Sequence, residues 1–122
     1  MPSRRQQRVR ELLIRTLGEM IRRELPLDEV GLVTVNDVGL SGDMHSATVF
    51  VSVLGPEAQQ KKSLGILQRE RKRLQGLIAR EVVLKNTPHL TFVVDDSVQR
   101  GNRVLQILDE LERSSLADES PS

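Results

Sequence analysis

Arg4, Arg8, Arg15 and Arg22 recur at intervals that, at about 100° per residue, gather within roughly 40° on one side of a helix. Lys62, Arg69, Arg73 and Arg80 repeat the arrangement later in the chain, again within roughly 40° at the same pitch. Rows of guanidinium and ammonium groups neutralise phosphates and release their counterions, and each guanidinium can engage two oxygens at once through its planar fork of donors. One such row is as well explained by solvation of a helix face; two rows need a further reason. Residues 1–24 and 61–85 hold 15 of the 18 Lys and Arg but only 5 of the 17 Asp and Glu, an excess of ten positive charges in a chain whose net charge is +1. A fold that lays these two segments side by side therefore has a cationic face suited to a polyanion, with the acidic surface elsewhere.

Other chemistry is thinly provided. The chain has no Cys, which removes disulfides, thiolate nucleophiles and Cys-ligated zinc. Its two His, His45 and His89, lack a spaced acid or a neighbouring ligand and read as surface or packing residues. Asp95 and Asp96 are adjacent at the end of an apolar run, where their side chains point apart, so with Ser97 they offer helix-capping oxygens in preference to a Mg²⁺ site. Gly101 stands without the glycine-rich pattern that cradles phosphate. The expectation is a protein without catalytic residues, metal, cofactor or small-molecule substrate. No run approaches the roughly 18 apolar residues of a membrane span, and the first ten residues are too charged for a secretory signal. A soluble, cytoplasmic, monomeric protein follows. Aromatic residues make up only 2% of the chain, too few for a base-stacking platform, so a nucleic-acid partner would be a folded RNA recognised through shape and backbone.

The elements that must carry these charges follow from hydrophobic period. Val9, Leu12, Leu13, Leu17, Met20 and Ile21 form the apolar stripe of a first helix, which Pro26 ends. Leu32–Val38 and Ala47–Leu54 alternate apolar and polar residues and are rich in Val and Thr, predicting two strands joined as an antiparallel hairpin through the Ser41–His45 turn, with Asp43 a turn residue. After Gly55-Pro56 a long helical segment runs to about Leu84 on Leu64, Leu67, Leu74, Ile78 and Val82. Arg71 would fall inside that stripe, which calls for a bend between residues 70 and 76, with Gly76 as one possible pivot. Leu90–Val94 predicts a third strand, and its weak alternation suggests a central position with both faces covered. Val98, Val104, Leu105, Leu108 and Leu111 have the spacing of a last helix ending near Arg113. Residues 114–122 are polar and expected to be disordered.

One domain over residues 1–113, with a tail at 114–122, is the resulting organisation, in the α+β class with a three-stranded sheet backed by helices. Its order, α-β-β-α-α-β-α, is similar to the type II KH arrangement. The words are more specific than the order: Val35-Asn36-Asp37-Val38, Leu40-Ser41-Gly42-Asp43, Ala47-Thr48-Val49-Phe50-Val51-Ser52-Val53-Leu54-Gly55, Thr87-Pro88-His89-Leu90-Thr91-Phe92 and Asp95-Asp96-Ser97-Val98-Gln99-Arg100-Gly101. In this sequence they closely resemble the ribosome-binding factor A family, from the first helix to about Glu112. The resemblance implies a non-enzymatic assembly factor of bacteria or organelles that binds the small ribosomal subunit and its rRNA late in maturation and during cold adaptation. The family bends between its two central helices at a small-x-Gly sequence. Here, counting back from Thr87-Pro88 without gaps puts Glu70-Arg71-Lys72 at that place, whereas anchoring on Gly76 would shorten the next helix. The ungapped register is preferred. In a KH-like fold the segment around the bend faces RNA, so Arg69, Lys72, Arg73, Arg80 and Lys85, with Arg4, Arg8 and Arg15 of the first helix, are the expected phosphate contacts. The competing expectation is a small α+β protein-interaction module that does not bind RNA directly.

Overall fold

A computed structural model describes residues 3–95. The expected last helix, the tail, and Asp96, Ser97 and Gly101 lie outside the described residues. Helix α1 spans Arg4–Glu24 and opens on a reciprocal cap: the Gln6 amide donates to Ser3 Oγ at 3.1 Å, and the Ser3 amide donates to Gln6 Oε1 at 3.0 Å. It closes where the Leu25 amide donates to the Ile21 carbonyl, since Pro26 forces Leu25 into an extended conformation. A single helical turn, α2 (Leu27–Val30), follows and was not foreseen from the sequence. Strands β1 (Val33–Leu40) and β2 (Ser46–Val53) form the expected antiparallel hairpin. Its turn is fastened by Asp43, whose Oδ1 accepts from the Ser41 hydroxyl and the His45 amide.

The hairpin contains a bulge. Asn36 and Asp37 together face Phe50, so Val33, Val35 and Val38 all point to the same side despite the change in spacing. The same kink turns the Asp37 carboxylate toward α1, where it accepts from Arg10 Nε at 2.8 Å. Helices α3 (Glu57–Arg69) and α4 (Arg71–Glu81) lead to β3 (His89–Val94), which pairs parallel with β2. The sheet order is β1-β2-β3. The expectation of a central third strand is therefore corrected: β2 is central and β3 lies at the edge. Its Leu90 and Phe92 are buried while Thr91 and Val93 are exposed, so one face only is covered by the helices.

All the larger helices lie on that one face. Leu13, Leu17 and Met20 of α1, Leu67 of α3, and Leu74 and Ile78 of α4 share one core with Val38, Val49, Val51, Leu90 and Phe92 of the sheet. The opposite face carries Thr34, Thr48, Phe50, Ser52, Thr91 and Val93. Gly31, at φ +74°, makes the corner between α2 and β1, and a Cβ there would stand 3.0 Å from Gln59 Nε2.

Among the described residues, Ser63 is the one buried polar side chain in this core. Its hydroxyl donates to the Val30 carbonyl and accepts from Gln59 Nε2 at 2.9 Å, tying α3 to the end of α2. Ser63→Ala leaves the carbonyl without its partner and is expected to cost about 1–3 kcal/mol. Urea unfolding followed by circular dichroism checks it; a midpoint unchanged from the parent would mean that water replaces the hydroxyl.

Candidate nucleic-acid interface

The break between α3 and α4 organises the basic residues of the second segment. Glu70 alone leaves the helical conformation, at φ −90° and ψ 3°, while its amide still donates to the Ile66 carbonyl and its own carbonyl accepts from the Leu74 amide at 3.0 Å. The chain therefore bends at the position that the ungapped register selects. Gly76 is not the pivot: it sits on the exposed side of α4, with open space around it. Resetting the phase at Glu70 also releases Arg71 from the apolar stripe. Its guanidinium reaches His89, with Nη1 2.9 Å from the ring Nε2.

The eight sequence-selected cations divide into two kinds. Arg4, Arg8 and Arg15 stand on the exposed side of α1, opposite Leu13 and Leu17. Lys72 and Arg80 on α4 and Lys85 in the following loop are likewise exposed, and among the described residues none of these six is paired with a carboxylate. Arg69 has only a long approach of 3.9 Å to Glu70. Arg73 differs from the rest. It donates to the Glu24 carboxylate at 2.8 Å, to the Glu24 carbonyl at 3.2 Å and to the Glu70 carboxylate at 2.9 Å. Its donors are spent on joining the end of α1 to the start of α4, and Arg23 continues the tie by donating to Glu81. Arg73 is thus a positioning residue for the surface on which the others stand.

This network sets the relation of the two basic rows. Both helices lie on the same side of the sheet, and the Arg73–Glu24 and Arg23–Glu81 pairs hold α4 against the C-terminal end of α1. At the other end of α1, Arg5 and Lys85 line one narrow crevice with Val9, Met44 and Pro88. Arg5 was not selected from sequence because it lies off the Arg4–Arg8–Arg15 row, and only the return of the chain after α4 brings Lys85 to it. Arg22 belongs to the row by spacing and is also exposed. Together the unpaired groups cover the outer side of the helical layer with donors spaced along two rods, an arrangement that can hold a phosphate backbone without reading bases. Among the described residues no group of three or more His, Asp or Glu converges as a metal site would require.

Charge pairing has a titration signature. Hydrogen bonds from Arg23, then from Arg73, hold the Glu24 carboxyl below its ordinary range. A group depressed in the folded state stabilises it above the ordinary glutamate range, and that contribution drains away as the pH falls through the depressed value. Glu24→Gln is therefore expected to lower stability near neutral pH and to make the loss of stability on acidification shallower. Thermal melts between pH 7 and pH 3 check it, and parallel curves for variant and parent would show that the pairs contribute nothing.

Comparison with known proteins agrees with this architecture. The family model for ribosome-binding factor A matches residues 5–108. A ribosome-binding factor A of Macrococcus caseolyticus is 38% identical over 111 residues, covering 91% of this chain and 97% of the relative. The crystal structure of ribosome-binding factor A from Thermus thermophilus superposes with a TM-score of 0.65 at 30% identity, over 72% of this chain and 93% of that one. A homology model of the Thermus thermophilus factor, fitted into the cryo-EM map of a 30S–RbfA complex, is 32% identical with a TM-score of 0.60, over 69% of this chain and 88% of that one. With a match that begins in the first turn of α1 and runs past β3, the chain belongs to the ribosome-binding factor A family.

Proposed function

We propose that this protein is a non-enzymatic assembly factor that binds the small ribosomal subunit and its rRNA and assists late rRNA maturation, with a part in cold adaptation. The observation that carries the reading is the set of unpaired cations on the outer side of one helical layer. Arg69, Lys72, Arg80 and Lys85 contact phosphate from α3, α4 and the following loop, and Arg4, Arg8 and Arg15 extend the contact along α1. Arg73 keeps the two helices in register. Family membership supports the ribosomal partner, as does the related factor fitted into a 30S complex. The protein acts as a cytoplasmic monomer, as one KH-like unit ending near residue 113, and needs no cofactor.

Titrating salt against small-subunit RNA tests this reading. Each neutralised phosphate steepens the fall of log affinity against log salt by roughly 0.7–0.9, so seven contacts predict a slope near −5 to −6. Cosedimentation with small subunits at low salt, lost at high salt, is the corresponding result with the natural particle. Binding to the subunit with no salt dependence would favour the protein-interaction module instead.

A further inference from the structure

Three exposed leucines cluster at one end of the sheet, beside Arg22 and Lys62. Leu27 is 68% exposed, Leu32 52% and Leu54 72%. They surround one end of the sheet, where the Leu54 amide donates to the Leu32 carbonyl. Between α1 and β1 this surface deepens into a cleft of about 230 Å³ lined by Ile21, Leu25, Leu27, Val30 and Val33 together with Arg22. It continues past Leu27 and Gly31 onto a shelf formed by Leu54, Pro56 and Ala58, beside Lys62. Three leucines exposed to this degree around one cleft are costly to leave in water, at about 25 cal/mol for each Å² of apolar surface, and mark a place that something covers.

The chain itself arrives there. Because β3 runs parallel to β2, its C-terminal end lies beside the end of β2: the Asp95 amide donates to the Val51 carbonyl, and the Ser52 hydroxyl donates to the Asp95 carbonyl. Residue 95 is thus two positions in register from Leu54 and two strands, about 10 Å, from β1. The 27 residues beyond it include Val104, Leu105, Leu108 and Leu111, which share one side at helical spacing. Asp109 and Glu112 flank that side, whereas the cations nearest the cleft, Arg22 and Lys62, have no carboxylate partner among the described residues. Residues 98–111 at helical rise would extend about 21 Å, enough to cross the end of the sheet.

We propose that the segment 98–111 docks its Val104–Leu105–Leu108–Leu111 side onto the Leu27–Leu32–Leu54 surface of its own chain, with Asp109 and Glu112 toward Arg22 and Lys62. The cleft is then the seat of a C-terminal arm that takes up Arg22 and Lys62, the row members at its edge, and leaves the seven proposed phosphate contacts uncovered. The inference is independent of RNA binding.

The absence of cysteine makes the test clean. A nitroxide is attached to the full chain at Glu110→Cys or, in a second variant, at Gln106→Cys. Both positions lie off the docking side at helical spacing. Methyl signals of the leucines and valines are then recorded. Broadening of Leu27, Leu32 and Leu54 with Val83 unaffected is the expected result, and it should persist on dilution. Broadening centred on Val93 would place the arm on the open face of the sheet and overturn the proposal. Broadening that appears only between labelled and unlabelled chains would assign the surface to a second copy, and no broadening at all would leave it to a partner; either result also overturns it.

Discussion

Replacing Arg69, Lys72 and Arg80 together by Glu is expected to weaken binding to small-subunit RNA roughly a hundredfold near 0.1 M salt. Three lost phosphate contacts remove about 0.7–0.9 decades each, relative to molar salt, and the new carboxylates add repulsion. The salt slope should become shallower by about 2 to 3. Folding should be untouched, because all three side chains are exposed and only Arg69 has any approach to a carboxylate. Filter binding over a salt series, with circular dichroism as the folding control, gives the answer. An unchanged slope would remove this face from the RNA site. Arg73→Glu is the instructive contrast, since it breaks the tie between α1 and α4 and should lower the melting temperature, an effect that the triple variant lacks.

The second large effect concerns the core. Leu17 is fully buried where α1 crosses the sheet, among side chains that are almost all aliphatic. Leu17→Ala is expected to cost about 2–5 kcal/mol through lost transfer energy and an unfilled cavity. A domain of this size has only about 5–15 kcal/mol of stability in total, so the melting temperature should fall by roughly 10–30 °C. With no Trp or Tyr in the chain, the melt is followed by far-ultraviolet circular dichroism. A loss of less than about 1 kcal/mol would show that α1 shifts to close the cavity.

What the sequence made legible, and what it did not, follows the range of the interactions. The hairpin could be read because alternation and a Gly-Asp turn are local signals. The Asn36–Asp37 bulge could not, since it shows only when Phe50 is placed opposite both residues. The bend was located by Arg71, whose charge could not remain in an apolar stripe, yet Gly76 competed with Glu70 because glycine is a local signal and the true pivot has none. The place of β3 at the sheet edge was misread: a five-residue run with four apolar side chains looks alike in the centre and at an edge whose outer face is open. Periodicity picked out Arg4, Arg8, Arg15, Arg69 and Arg80, whereas Lys72 and Lys85 were selected by their place at and after the bend. That Arg73 is not among the free ones depends on Glu24, which is 49 residues away and which no pattern within α4 could indicate.

The parallel pairing of β2 with β3 has a consequence for the order in which the molecule assembles. The hairpin closes across residues 41–45, a search of microseconds, and α1 adjoins β1 in sequence. Strand β3 can join only after residues 54–88 have been gathered, at a loop-closure cost that local pairing does not bear. Assembly therefore begins with α1, β1 and β2 and ends with β3. Apolar side chains of β3, such as Phe92, should accordingly govern how fast the native state opens, while Val49 and its neighbours govern how fast it forms, a division that unfolding and refolding rates of the two sets of variants would display. During that interval one edge of β2 has unpaired backbone groups. A chain emerging from synthesis carries this open edge until His89–Val94 have followed β2 by some 35 residues.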